Sequence, residues 1–148
     1  EDSINGTMVR AISDGLETWQ DRSNRGERPV PYTYRIPGAL RPPVGVWEAV
    51  SESEAAELLD PRLLLQLANY YNEIYGTADR FVPHNSFAEF EILPRIDDGP
   101  EAFYDDSGRL APEYSGYMDR LREMARDIER NRASNRELQA ALRAVLAG

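Results

Sequence analysis

A mainly α-helical bundle with a long C-terminal helix is the fold class that this sequence predicts. Apolar residues recur at steps of three and four over most of the chain, the pattern of a helix with one buried stripe. The proline- and glycine-rich stretches fall between those periodic segments and not inside them. No glycine or proline interrupts residues 117–147. A chain of 148 residues fits one domain, read here as residues 1–148.

The elements follow in order. Ile4, Met8, Ala11, Ile12, Leu16 and Trp19, with Gly15 beside Leu16, mark a first amphipathic helix within residues 1–23. Asp2 or Ser3 is placed to cap it by accepting from free first-turn amides, and Ser23-Asn24-Arg25-Gly26 signals its end. Residues 24–43 hold prolines at 29, 31, 37, 42 and 43. Proline has no amide proton and biases its predecessor towards extended backbone, so this is an extended connection. Its interleaved Val30, Tyr32, Tyr34 and Ile36 suggest that it lies against the helices and spans the bundle, a flexible linker being the alternative.

The central helices are expected in residues 44–96. Val46, Trp47 and Val50 open a short one, and Ser51-x-x-Glu54 matches a capping box. Asp60-Pro61 is a strong helix start, an N-cap carboxylate before proline in the first turn. The run from Leu63 to Tyr75 is apolar over a wide arc and reads as the most buried helix, ended or kinked at Pro83. Asn85 or Ser86 would restart a shorter piece through Phe87, Phe90 and Leu93, stopping at Pro94. Residues 97–113 form an acidic loop, in which Phe103 to Leu110 surround a glycine turn and predict at most a small β-hairpin.

The last helix spans 114–147. Tyr117, Leu121, Met124, Ile128, Asn131, Asn135, Leu138, Leu142 and Val145 alternate steps of four and three, which is a heptad seam. The pairs Asp119–Arg122, Glu123–Arg126 and Asp127–Arg130 support it, each worth about 0.2–0.5 kcal/mol. Ser134-x-x-Glu137 also reads as a capping box, so a break near 133 competes with one continuous helix.

Composition excludes several kinds of chemistry. Hydrophobic residues make up 41% and charged residues 29%, a balance that suggests a folded chain with a large solvated surface. The net charge of −9 disfavours nucleic acid and anionic lipid as primary partners. All 17 basic residues are arginine, so neither a Schiff-base lysine nor a phosphate-loop lysine exists here. The absence of cysteine removes disulfides, thiolate metal sites and thiol nucleophiles. No apolar stretch is long enough to span a bilayer. The chain opens at Glu1 without methionine and without a signal-peptide pattern, which reads as either a trimmed piece or a mature product of a longer chain.

Weighed singly, the reactive residues favour no catalytic, cofactor or metal role. His84, the one histidine, sits between Pro83 and Asn85 and reads as a surface or capping residue before it reads as a general base. No G-x-S-x-G pattern frames a nucleophile. Asp97, Asp98, Glu101, Asp105 and Asp106 offer oxygen ligands. A calcium-loop register on Gly108, however, puts Phe103 and Tyr114 where carboxylates are needed. Tyr70, Tyr71 and Tyr75 at helical spacing read as a core edge, with a ligand pocket as the rival. Asn5-Gly6-Thr7 matches a glycosylation acceptor on a helix start. Asn131 and Asn135 would fix register in a seam or mark where it becomes solvated.

The stretch Trp47-Glu48-Ala49-Val50, Leu58-Leu59-Asp60-Pro61, Leu63 to Leu67 and Asn69-Tyr70-Tyr71 resembles a pattern in uncharacterised bacterial proteins. Those proteins carry one N-terminal transmembrane helix and a helical domain outside the membrane. The resemblance implies an anchor upstream of Glu1 and an extracytoplasmic or periplasmic location, a cytoplasmic one being the alternative; it implies no catalytic residue. The expected function is therefore non-enzymatic and works through protein contacts, with a second copy as one candidate partner. The expected interaction seam is Leu121, Met124, Ile128, Asn131, Asn135, Leu138, Leu142 and Val145. A small-molecule-sensing bundle with Trp47, Tyr70, Tyr71 and Tyr75 around a pocket is the alternative, and an enzyme using His84 and the acidic loop comes third.

Overall fold

The computed structural model describes residues 2–36 and 44–147. Among them four α-helices carry the architecture: α1 (Asp2–Asn24), α2 (Val44–Ser51), α3 (Pro61–Phe87) and α4 (Pro112–Ala147). A π-helical turn at Ala88–Ile92 and 3-10 turns at Glu54–Leu58, Leu93–Asp98 and Pro100–Phe103 join them. The chain is mainly α, a helical bundle with a long last helix.

α1 buries Met8, Ile12 and Leu16 on one stripe. It ends in a Schellman motif: Gly26, at φ 81°, donates to the Ser23 carbonyl and Glu27 donates to that of Arg22. The cap expected from Asp2 or Ser3 falls on side chains outside the described ones. Downstream, the segment of residues 27–36 runs without helix across the bundle as its alternation suggests. Val30, Tyr32 and Tyr34 pack against the core and Ile36 is buried. Its polar groups are met on the way. The Tyr32 hydroxyl donates to the Ala11 carbonyl at 2.9 Å, and that of Tyr104 donates to the Pro29 carbonyl at 2.7 Å. The Tyr32 ring lies so close to α1 that a Cβ on Gly15 would stand 2.0 Å from it. Pro37, Pro42 and Pro43 lie outside the described residues.

Two helix starts resolve differently. Asp60 caps α3 as expected, accepting from the amides of Arg62 and Leu63 at 2.8 and 3.3 Å. The Ser51-x-x-Glu54 box is not used as a cap. Ser51 closes α2, and its hydroxyl donates to the Glu48 carbonyl, while the following turn starts after Ser53 with no side-chain cap.

α3 corrects two further expectations. It does not end at Pro83 but continues through Gly76 and Pro83 to Phe87, with the proline exposed on one side and Phe81 and His84 buried in the core on the other. Asn85 accordingly restarts nothing. Its amide donates to the Ile36 carbonyl at 2.8 Å and its oxygen accepts from the Ile36 amide at 3.1 Å, a side chain standing in for a neighbouring strand. The irregularity comes later, where the π turn precedes Pro94 and the chain tightens to a 3-10 turn. Nor is residues 63–75 the most buried stretch: Leu63 is buried there, but Leu65 is 62% exposed.

The most buried helix is α4, since α1 and α3 both pack against it. Tyr114, Tyr117, Met118, Leu121, Met124, Ala125 and Ile128 form the heart of the core. α4 is continuous over 36 residues, about 54 Å at 1.5 Å per residue. Ser134 is no cap; its hydroxyl reaches the Glu73 carboxylate on α3 at 3.3 Å. The expected hairpin shrinks to a single antiparallel bridge, Tyr104 to Leu110. It closes over a turn in which Gly108 takes φ 74°, the left-handed region that glycine enters without a steric cost.

Candidate functional site

The first part of the α4 seam, Leu121, Met124 and Ile128, belongs to this chain's own core. Leu121, Met124, Ile128 and Leu138 are buried, Asn131, Asn135 and Leu142 are half-buried, and Val145 is 60% exposed. Its polar layer faces α3 through three rungs. Arg80 meets Asp127 at 2.6 Å, Asn131 donates to the Thr77 hydroxyl at 3.1 Å, and Ser134 donates to Glu73. Falling residue numbers on α3 meet rising ones on α4, so the helices are antiparallel and the rungs fix their register. Asn135 instead accepts from Gln139 on its own helix. Of the expected i,i+3 pairs, Asp119–Arg122 and Asp127–Arg130 form. Glu123–Arg126 does not; Arg126 lines a groove beside α1.

His84 is no surface residue. It is 3% exposed, and its ring stacks on that of Tyr117 at 4.2 Å and 10°. Phe87 covers Tyr117 in turn at 5.5 Å, and the Arg120 guanidinium lies over Phe87. Among the described residues neither His84 nitrogen has a hydrogen-bond partner. Burial first, and then the Arg120 charge, lower the His84 pKa to about 4, while burial pushes Tyr117 up to about 12. At neutral pH the imidazole is therefore uncharged and sealed behind aromatic rings. A general base needs hydrogen-bond reach to its substrate, and this one faces packed side chains.

The acidic loop distributes its carboxylates over separate tasks. Glu101 binds Arg28 at 2.7 Å. Asp105 accepts from the Ser107 hydroxyl and from the Ser107 and Arg109 amides, which hold its pKa below the ordinary carboxylate value. Among the described residues no three histidine or acidic side chains converge as a metal site. Trp47, Tyr70, Tyr71 and Tyr75 do come together. Trp47 stacks on Tyr71 at 5.2 Å, Tyr70 meets Tyr71 edge-on, and Tyr75 is tilted beside it. The ring faces are used on one another and fasten α2 to α3.

What the sequence reading missed lies on the outside. Val82, Phe90, Leu93 and Ile96 are 59%, 72%, 39% and 40% exposed along one continuous run of helical turns. Phe90, Leu93 and Ile96 follow one another at steps of three through the π and 3-10 turns, and Val82 lies upstream on α3. The only signal for them was excess: from Phe81 to Ile96 the chain holds more large apolar residues than one buried stripe accommodates. Among the described residues no helix is long and apolar enough to cross a membrane. No family model matches the chain, and no curated protein or solved structure is significantly similar to it.

Proposed function

We propose that this chain is a non-enzymatic helical domain that acts through protein–protein contact, and that its contact face is the patch of Val82, Phe90, Leu93 and Ile96. The observation that carries the reading is the exposure of four large apolar side chains between residues 82 and 96, Phe90 the most exposed of them at 72%. Isolated apolar residues on a surface are ordinary, but a contiguous group is costly to leave wet unless something covers it. Asp97 and Asp98 continue from the patch, are exposed, and make no ion pair among the described residues. The occupant that fits is a protein segment presenting apolar side chains together with arginine or lysine.

Support for a non-enzymatic role comes from His84, the one imidazole, which is closed off against Tyr117. Membrane tethering through a segment upstream of this chain, with the domain outside the membrane, belongs to the proposal on the strength of the Trp47 to Tyr71 resemblance. A topology reporter fused after Ala147 tests that part.

The contact face is tested with a photo-crosslinking residue at Phe90 in the full-length protein in its own cells, with Glu113 as the control position. One protein should be captured reproducibly from Phe90, should bind the purified domain, and should lose that binding on Phe90→Arg. Equal labelling from both positions, or capture of this same chain, would refute the assignment.

A further inference from the structure

A second surface, independent of the Phe90 face, lies between α1 and α4. There the two helices leave a groove of about 550 Å³, lined from Val9 to Asp21 on α1 and from Arg122 to Glu129 on α4. Val9, Leu16 and Ala125 supply its apolar lining, and the facing Ser13 and Ala125 are small. Along α1 the lining extends from Val9 to Asp21, about 18 Å or just over three helical turns. The walls carry opposite signs. On the α1 side, Glu17 and Asp21 make no ion pair among the described residues. On the α4 side, Arg126 is likewise without one, Arg122 is held by Asp119 at 2.6 Å, and Glu129 is neutralised by Arg132 and Arg136.

We infer that this groove seats one amphipathic helix of a partner protein, with arginine or lysine along the edge beside α1 and carboxylates along the edge beside α4. Three features select that occupant. A concave, three-turn channel takes a single convex row of side chains, the helix-in-groove mode of recognition. A second copy offering the same concave groove would leave a void between the two floors. The free charges are acidic on one wall and basic on the other, so a helix charged alike on both edges is repelled at one wall. The net charge of −9 does not decide the matter, because at physiological salt fields are screened beyond about 8 Å and only the facing walls count.

The test uses the purified chain and three synthetic 18-residue helices that share one leucine stripe and differ in their edges: lysine with glutamate, all lysine, and all glutamate. Binding is followed by amide chemical-shift mapping. The mixed-edge helix should bind at least about fivefold tighter than either uniform one, the sum of two rim ion pairs, with shifts centred on Val9 and Ala125. Ser13→Trp, which fills the channel, should abolish binding. Glu17→Arg with Asp21→Arg should transfer the preference to the all-glutamate helix, with helicity by circular dichroism confirming that both variants fold. No binding of any probe at about 1 mM would overturn the inference. So would shifts confined to the Phe90 face, or a concentration-dependent dimer of the unaltered chain that Ser13→Trp abolishes. Loss of the Phe90 crosslink without loss of groove binding would overturn the proposed function alone.

Discussion

Replacing His84 with phenylalanine keeps a flat ring against Tyr117 and removes the one buried imidazole. In the wild-type chain the His84 pKa falls from the ordinary 6.5 to about 4 on folding, chiefly because burial penalises the cation. Between those values the unfolded chain binds more protons than the folded one, so stability rises with pH across the window and is lost as pH drops from 6.5 towards 4. At about 1.4 kcal/mol per tenfold change in proton affinity, the whole effect is at most about 3 kcal/mol, with about 2 kcal/mol of it already lost at pH 5. Urea denaturation of both proteins at pH 7, 6 and 5 supplies the measurement. Carboxylates that titrate near pH 5 contribute equally to both curves and cancel in the difference. Wild type should therefore lose about 2 kcal/mol more than His84→Phe between pH 7 and 5. Parallel stability curves would refute the claim that the imidazole is buried uncharged, whatever the variant's stability at pH 7.

Three other substitutions probe the joints of the fold. Gly15→Ala gains up to about 1 kcal/mol of helix propensity but drives a methyl into the Tyr32 ring. A net loss of about 1–2 kcal/mol is expected by chemical denaturation, and Gly15→Ala with Tyr32→Ala should recover part of it. Asn85→Ala leaves both backbone groups of Ile36 without their side-chain partner and should cost about 2–3 kcal/mol, with faster amide exchange at Ile36. Asp60→Ala removes the α3 cap and should cost about 1 kcal/mol, while Asp60→Ser should retain most of the stability.

The pattern-bearing parts of the fold were legible. Local chemistry dictates them: Gly26 closes α1 because the αL position suits glycine, and Asp60-Pro61 opens α3 because a carboxylate accepts free amides. α1 and α4 announce themselves by apolar spacing alone. Where reading went astray, competing local signals had equal strength on paper. Ser51 and Ser134 both match a capping box, yet neither hydroxyl accepts from a helix amide; each donates instead, to the Glu48 carbonyl and the Glu73 carboxylate. Pro83 is a breaker by rule, but two buried neighbours on the far face hold the helix across it.

The candidate surfaces were less legible, since exposure belongs to the assembled bundle and not to any residue. Phe90 and Phe87 have the same side chain in the same stretch, one wet and one stacked on Tyr117. The same limit explains the seam. Periodicity says that Leu121, Met124 and Ile128 must be covered, but it is silent on whether a partner or this chain's own α1 and α3 covers them.

By itself, then, the sequence determined the helical class, the C-terminal end of α1, the start of α3, the extended course of residues 27–36, and the absence of lysine and thiol chemistry. Those follow from covalent geometry and from contacts within a few residues. Only the tertiary structure decided that α4 is the central helix, that Asn131 and Ser134 face α3, that His84 is sealed, and where the open groove and the Phe90 face lie. Each of these depends on which side chains from distant parts of the chain occupy the same space, and no local rule encodes that.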